Sequence, residues 1–257
     1  MIKSKQLSLS GLLINILFSE NPGKKETVIF LHGWRSSSAA WFKVLTGISE
    51  AGFSVYAIDL PGFGESETPP ADFNLEKYAS VVKEFITKER IMETGPKAVI
   101  VGHSFGGRVA LKFASLYPDA VSKLVLVDSA GLKYGNKKSF LRFLAKIFKP
   151  FFKFPPLRSL RPSIYKRIGA EDYLATPELK SVFLSIIKED LSPVLPAINI
   201  PTLIVWGEDD KTTPLDSAYV FKEKIKNSEI SVIKDAGHFP FLDQPNKFSE
   251  ILLNFLK

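Results

Sequence analysis

The chain contains no cysteine. Disulfides, a thiolate nucleophile and cysteine-ligated zinc or iron–sulfur sites are therefore excluded. Histidine is scarce: His32, His103 and His238 are the only three, so any imidazole chemistry has three candidates. No apolar run is long enough to span a bilayer. The longest charge-free stretch near the start, residues 6–19, is divided by Ser10-Gly11. That predicts two short strands, 7–9 and 12–18, joined by a turn and belonging to the fold rather than to a leader. Internal repeats and low-complexity tracts are also missing. Acidic residues are absent from one long segment: between Leu132 and Ala170 stand eleven lysines and arginines and no aspartate or glutamate. The whole chain of 257 residues carries +7, so the remainder is net acidic at −4. Steering of the whole molecule toward nucleic acid is a poor reading of that balance.

What is present is an alternation. Short β-branched or aliphatic runs at 28–31, 55–58, 98–101 and 124–127 each close on Gly, Pro or Asp. These read as strands buried on both faces of a mostly parallel sheet. Apolar residues at helical spacing lie between them, at 75–86 and after Ser104. The pattern resumes with strands at 203–206 and 230–233, a helix at 215–226 and a closing helix ending near Leu256. Strand–helix alternation implies an α/β fold with helices flanking the sheet. The stretch 131–200 interrupts it: prolines recur there and no buried strand is evident. It is expected to be a helical cap inserted into a core formed by 1–130 and 201–257.

Gly102-His103-Ser104-Phe105-Gly106, between a strand and a helix, matches G-x-S-x-G. A serine hydroxyl is a weak nucleophile and has to stand clear of the sheet beside a base. A sharp strand-to-helix turn presents it so, and glycine removes the side chains that would collide in the turn. The helix N-terminus points amide dipoles to where negative charge develops. Of the three histidines, His238 lies on a loop after a strand, at the sheet edge where such sites form. His32 precedes a loop glycine, and His103 adjoins the serine and is expected to point elsewhere. The acid that orients the imidazole belongs in Trp206-Gly207-Glu208-Asp209-Asp210. Asp210 is the first choice and Asp209 the reserve. Asp128 also ends a strand, with a turn or cap as its simpler role.

These segments, with His32-Gly33-Trp34 and Asp59-Leu60-Pro61-Gly62-Phe63-Gly64, make the chain resemble the α/β-hydrolase superfamily, in particular its capped serine hydrolases. The resemblance covers nearly the whole length and implies an α/β-hydrolase fold. It implies catalysis by Ser104, Asp210 and His238, in the chain order expected for that fold. It also implies an oxyanion hole from the backbone amides of Trp34 and Phe105. Gly62-Phe63-Gly64 lacks the third glycine of a dinucleotide loop, since position 67 is Glu67. Serine at 104 separates the chain from relatives that use aspartate or cysteine. His103 and Phe239 stand where C–C hydrolases of ring-cleavage products usually place Asn and Trp. Hydrolysis of a carboxylic ester is thus expected, with C–C hydrolysis or non-enzymatic ligand binding as alternatives; no residue of the implied triad is lost. No cofactor and no metal is called for, and the expected location is the cytoplasm. His32, Gly33, Phe140, Phe143 and Phe239 are expected around the pocket. Phe140 and Phe143 belong to an apolar helical face, with Lys138, Arg142, Lys146, Lys149 and Lys153 interleaved. That pattern suits a cap helix over the pocket, or a lid touching anionic lipid.

Overall fold

A computed structural model describes residues 1–21, 26–94, 97–132 and 176–257. Its centre is an eight-stranded sheet in the order β1-β2-β4-β3-β5-β6-β7-β8. The strands are β1 Lys3–Leu9, β2 Leu12–Ser19, β3 Thr27–Leu31, β4 Ser54–Ile58, β5 Ala98–His103, β6 Val121–Val127, β7 Thr202–Gly207 and β8 Ser228–Ile233. β1–β2 and β2–β4 pair antiparallel, and every later neighbour pairs parallel. All the strands expected from the sequence are there, most of them a residue or more longer.

The parallel strands are apolar on both faces because both faces are covered. Val28, Phe30, Val55, Val99, Val101, Val125 and Val205 face one layer. Ile29, Leu31, Ile58, Ile100, Leu124, Leu126 and Ile204 face the other. This is the period-two alternation of a strand, with apolar residues on each side. The first layer is covered by helices α1 Phe42–Glu50 and α8 Pro245–Leu256, through Val44, Leu45, Ile48, Phe248 and Leu252. The second is covered by α2 Leu75–Lys88, α4 Phe105–Leu116 and α6 Asp216–Lys224, through Tyr78, Val82, Phe85, Val109, Phe113 and Phe221. Asn74 caps α2, its side chain accepting from the Lys77 amide at 3.0 Å. The other helices among the described residues are α3 Ile91–Thr94, α5 Lys180–Lys188 and α7 Pro240–Asp243.

Two expectations need correction. The closing helix is not continuous from Phe241: it breaks at Gln244 and restarts with Pro245 as its first residue. Proline is accommodated at the first helical turn, where its missing N–H costs nothing. Helix α1 was not anticipated. Most of the expected cap, including Phe140, Phe143 and the basic stretch, lies outside the described residues. Its described end, 176–200, contains α5 and two short 3-10 turns, Pro177–Leu179 and Leu195–Ala197. Arg108 of α4 reaches across to this segment and donates to the carbonyl of Ile186 at 2.6 Å and to that of Glu189.

Candidate active site

The residues singled out by the motifs come together at the carboxyl ends of the parallel strands. Ser104 follows β5, Asp128 follows β6, the loop carrying Asp210 follows β7, and His238 follows β8. Ser104 sits at φ 51°, ψ −110°, outside the regions a side chain ordinarily adopts. Neighbouring backbone enforces that turn. A side chain at Gly102 would meet the Gly106 carbonyl, and one at Gly106 would meet the Leu31 carbonyl, so both must be glycine.

His238 bridges two partners. Its Nε2 lies 3.1 Å from Ser104 Oγ and its Nδ1 lies 2.8 Å from Asp210 Oδ2. A carboxylate accepts only, so the imidazole proton belongs on Nδ1 and leaves Nε2 free to accept from the serine. Nδ1 so protonated has no lone pair for a cation. This matters because Asp128, Asp210 and His238 bring ligand-type atoms within 4.8 Å of one another. Asp210 is well supplied with donors. Oδ1 accepts from the Thr212 and Thr213 amides at 2.7 and 3.1 Å, and Oδ2 accepts from the Thr213 hydroxyl at 2.5 Å. Burial pushes its acidity down, but hydrogen bonds from His238 and Thr213 and a contact with Asp128 outweigh that and hold its pKa at about 2. Asp209 is exposed and meets the β8 loop through its backbone, its amide donating to Ala236 at 2.9 Å. Of the two aspartates, Asp210 is the one within hydrogen-bonding reach of His238.

The other two histidines serve the backbone. His103 does not point away from the site, as its place in the turn suggested. Its Nε2 donates to the carbonyl of His238 at 2.7 Å, and its ring lies 4.8 Å from the His238 ring. Burial, with His238 beside it, lowers its pKa to about 3, so the ring stays neutral. His32 is a correction to the expected pocket lining. It is buried, its Nε2 accepts from the Leu60 amide at 2.9 Å, and its Nδ1 donates to the Gly33 carbonyl at 2.7 Å. Burial lowers its pKa to about 4. Because carbonyl and amide of one trans peptide point oppositely, fixing the Gly33 carbonyl also fixes the direction of the Trp34 N–H.

Gly33 lies against the serine: a Cβ there would stand 2.8 Å from His103 Nδ1 and 3.4 Å from Ser104 Cβ. The Phe105 amide opens α4 and so has no intrahelical acceptor. Neither it nor the Trp34 amide is taken up by another group among the described residues. The Trp34 ring packs on Phe63, Phe105 and Phe183, with centroids 4.8, 5.2 and 5.0 Å away. Phe239 is 38% exposed, and its ring lies 5.2 Å from that of His238. Thr213 and the supporting role of His103 went unread in the sequence. The Asp210-x-Thr-Thr spacing is a turn signal that pointed to the first; the second depends on contact between residues 135 apart.

A serine raised on a sharp turn beside a strand-end histidine and acid, over a mostly parallel sheet, defines the α/β-hydrolase class of fold. The chain belongs to the alpha/beta hydrolase family, whose model matches residues 28–251. Among curated relatives, it is 27% identical to AB hydrolase superfamily protein YisY of Bacillus subtilis, covering 93% of this chain and 94% of that one. It is 25% identical to a 2-hydroxy-6-oxononadienedioate/2-hydroxy-6-oxononatrienedioate hydrolase of a Pseudomonas species, covering 90% and 88%. Among solved structures, an esterase from Exiguobacterium antarcticum superposes with a TM-score of 0.77 at 25% identity, covering 98% of each chain.

Proposed function

We propose that this protein is a serine hydrolase of carboxylic esters, with Ser104, His238 and Asp210 as its catalytic triad. The observation that carries the reading is the unbroken line from Ser104 Oγ to His238 Nε2 at 3.1 Å and from His238 Nδ1 to Asp210 at 2.8 Å. His238 takes the serine proton as Oγ attacks the acyl carbon. The Trp34 and Phe105 amides receive the charge that develops on the carbonyl oxygen. Asp210 stabilises the imidazolium, which then gives its proton to the leaving alcohol. Water repeats the sequence on the acyl-enzyme, with His238 again as base, and releases the acid. The likeness to an esterase supports this bond type. The likeness to a C–C hydrolase keeps a second reaction in the assay.

The test is a panel of p-nitrophenyl esters from acetate to palmitate, with a ring-cleavage dienoate and a lactone alongside. Ester turnover by the wild type is expected, with Ser104→Ala slower by about three orders of magnitude or more at an unchanged melting temperature. A serine-directed phosphonate should label the wild type and not Ser104→Ala. Ester activity retained in that variant ends the triad reading. Turnover of the dienoate alone transfers the protein to C–C hydrolysis.

A further inference from the structure

Asp128 is wholly buried at the end of β6, with its backbone at φ 41°. Oδ1 accepts from the Gly207 amide at 3.0 Å. Oδ2 is buried and meets no donor. Beside it stands the carboxylate of Asp210, within 4.8 Å. Two carboxylates this close in the interior do not both ionise. Asp210 has two amides, a hydroxyl and the His238 N–H to hold its charge, while Asp128 has one amide. The proton therefore belongs to Asp128, and only a proton on Oδ2 gives that atom a partner.

We propose that Asp128 is a carboxylic acid, neutral at neutral pH, that donates from Oδ2 to Asp210 and holds it in line with His238 Nδ1. It is a positioning residue, and the inference rests on Ser104, His238 and Asp210 being the triad. The titratable groups facing it are Asp210, His238 and, more distantly, Asp243. Burial and the hydrogen bond to Asp210 push its pKa up to about 10, against the pull of the Gly207 amide, with the negative charges of Asp210 and Asp243 adding to the rise. Neutrality has a use. A second negative charge beside His238 would hold the imidazolium and slow its delivery of the proton to the leaving alcohol.

The direct test is infrared difference spectroscopy of the Ser104→Ala protein with and without Asp128→Asn, at neutral pH. A protonated carboxyl stretch present with Asp128 and lost with Asn is expected; its absence overturns the proposal. In the active enzyme, Asp128→Ala should lower kcat roughly tenfold, about one charge-assisted hydrogen bond, with little change in KM. Asp128→Asn keeps both an acceptor for Gly207 and a donor for Asp210, so it should recover most of that loss. Its acid limb in the pH profile of kcat/KM should coincide with the wild type, because no charge has been removed. Failure of Asn to recover the loss, or a limb displaced to lower pH, overturns the proposal. Should Ser104→Ala keep its ester turnover, the triad reading fails, and the infrared band still reports the protonation of Asp128 by itself. A missing band with Ser104→Ala inactive removes the Asp128 inference alone.

Discussion

At the scale of single residues, the site depends on which atoms can give and which can only accept. Asp210 keeps its charge because four donor contacts converge on it. That charge fixes the His238 proton on Nδ1, which in turn leaves Nε2 able to take the serine proton. Replacing Asp210 by asparagine puts an amide where the acceptor stood. The imidazole is then free to take the wrong tautomer, and kcat should fall by about three to four orders of magnitude. Asp209, exposed and one residue earlier, should tolerate the same change with less than about a twofold effect, the usual outcome for an isolated surface substitution. Steady-state kinetics on the two variants decide it, and the reverse ranking would move the acid to Asp209.

At the scale of elements, the strands were legible because each is a short apolar run closed by a turn residue, as Gly102 closes β5 and Asp128 closes β6. The elbow was legible because glycines at 102 and 106 are forced by backbone that passes within a side chain's width. Helix α1 was not, because its apolar stripe of Val44, Leu45 and Ile48 is short and lies among small polar residues. The roles of His103 and Asp128 were not legible either, since each acts on a partner brought near by the sheet rather than by the chain. His103, at the end of β5, meets His238 on the loop after β8, with β6 and β7 lying between those strands, and Asp128 meets the β7 loop. Local signals nonetheless have measurable weight. Asn74 satisfies one of the free amides at the start of α2. Asn74→Ala should destabilise the protein by about 1 kcal/mol, and Asn74→Asp, which keeps the acceptor, by much less. Urea titrations of the two variants make the comparison; equal losses would show that the cap bond contributes nothing.

At the scale of the whole molecule, the buried titratable groups set a stability optimum. His32 and His103 have folded-state pKa values lowered by burial to about 4 and about 3, against about 6.5 in an unfolded chain. Below that pH the unfolded chain binds protons that the native protein refuses, so stability falls as the solution is acidified. Asp128 works in the opposite sense. Burial beside Asp210 raises its pKa to about 10, against about 3.9 unfolded. Between those values the native protein holds one extra proton, and stability falls as pH rises. Asp210, held at about 2, acts only below about pH 4, and the lowered pKa of Arg108, about 10, acts only above that value. The two histidines outweigh Asp128 on the acid side, and Asp128 acts alone among these on the mildly alkaline side. Maximal stability is therefore expected near pH 6.5 to 7, with a loss of roughly 1 kcal/mol per pH unit from 7 to 9. Chemical denaturation followed across that range should show the alkaline loss in the wild type and its near absence in Asp128→Asn. His103→Gln should instead lessen the acid-side slope by about one proton and leave the alkaline side as it was. A wild-type protein as stable at pH 9 as at pH 7 would mean that Asp128 is already ionised in the native state.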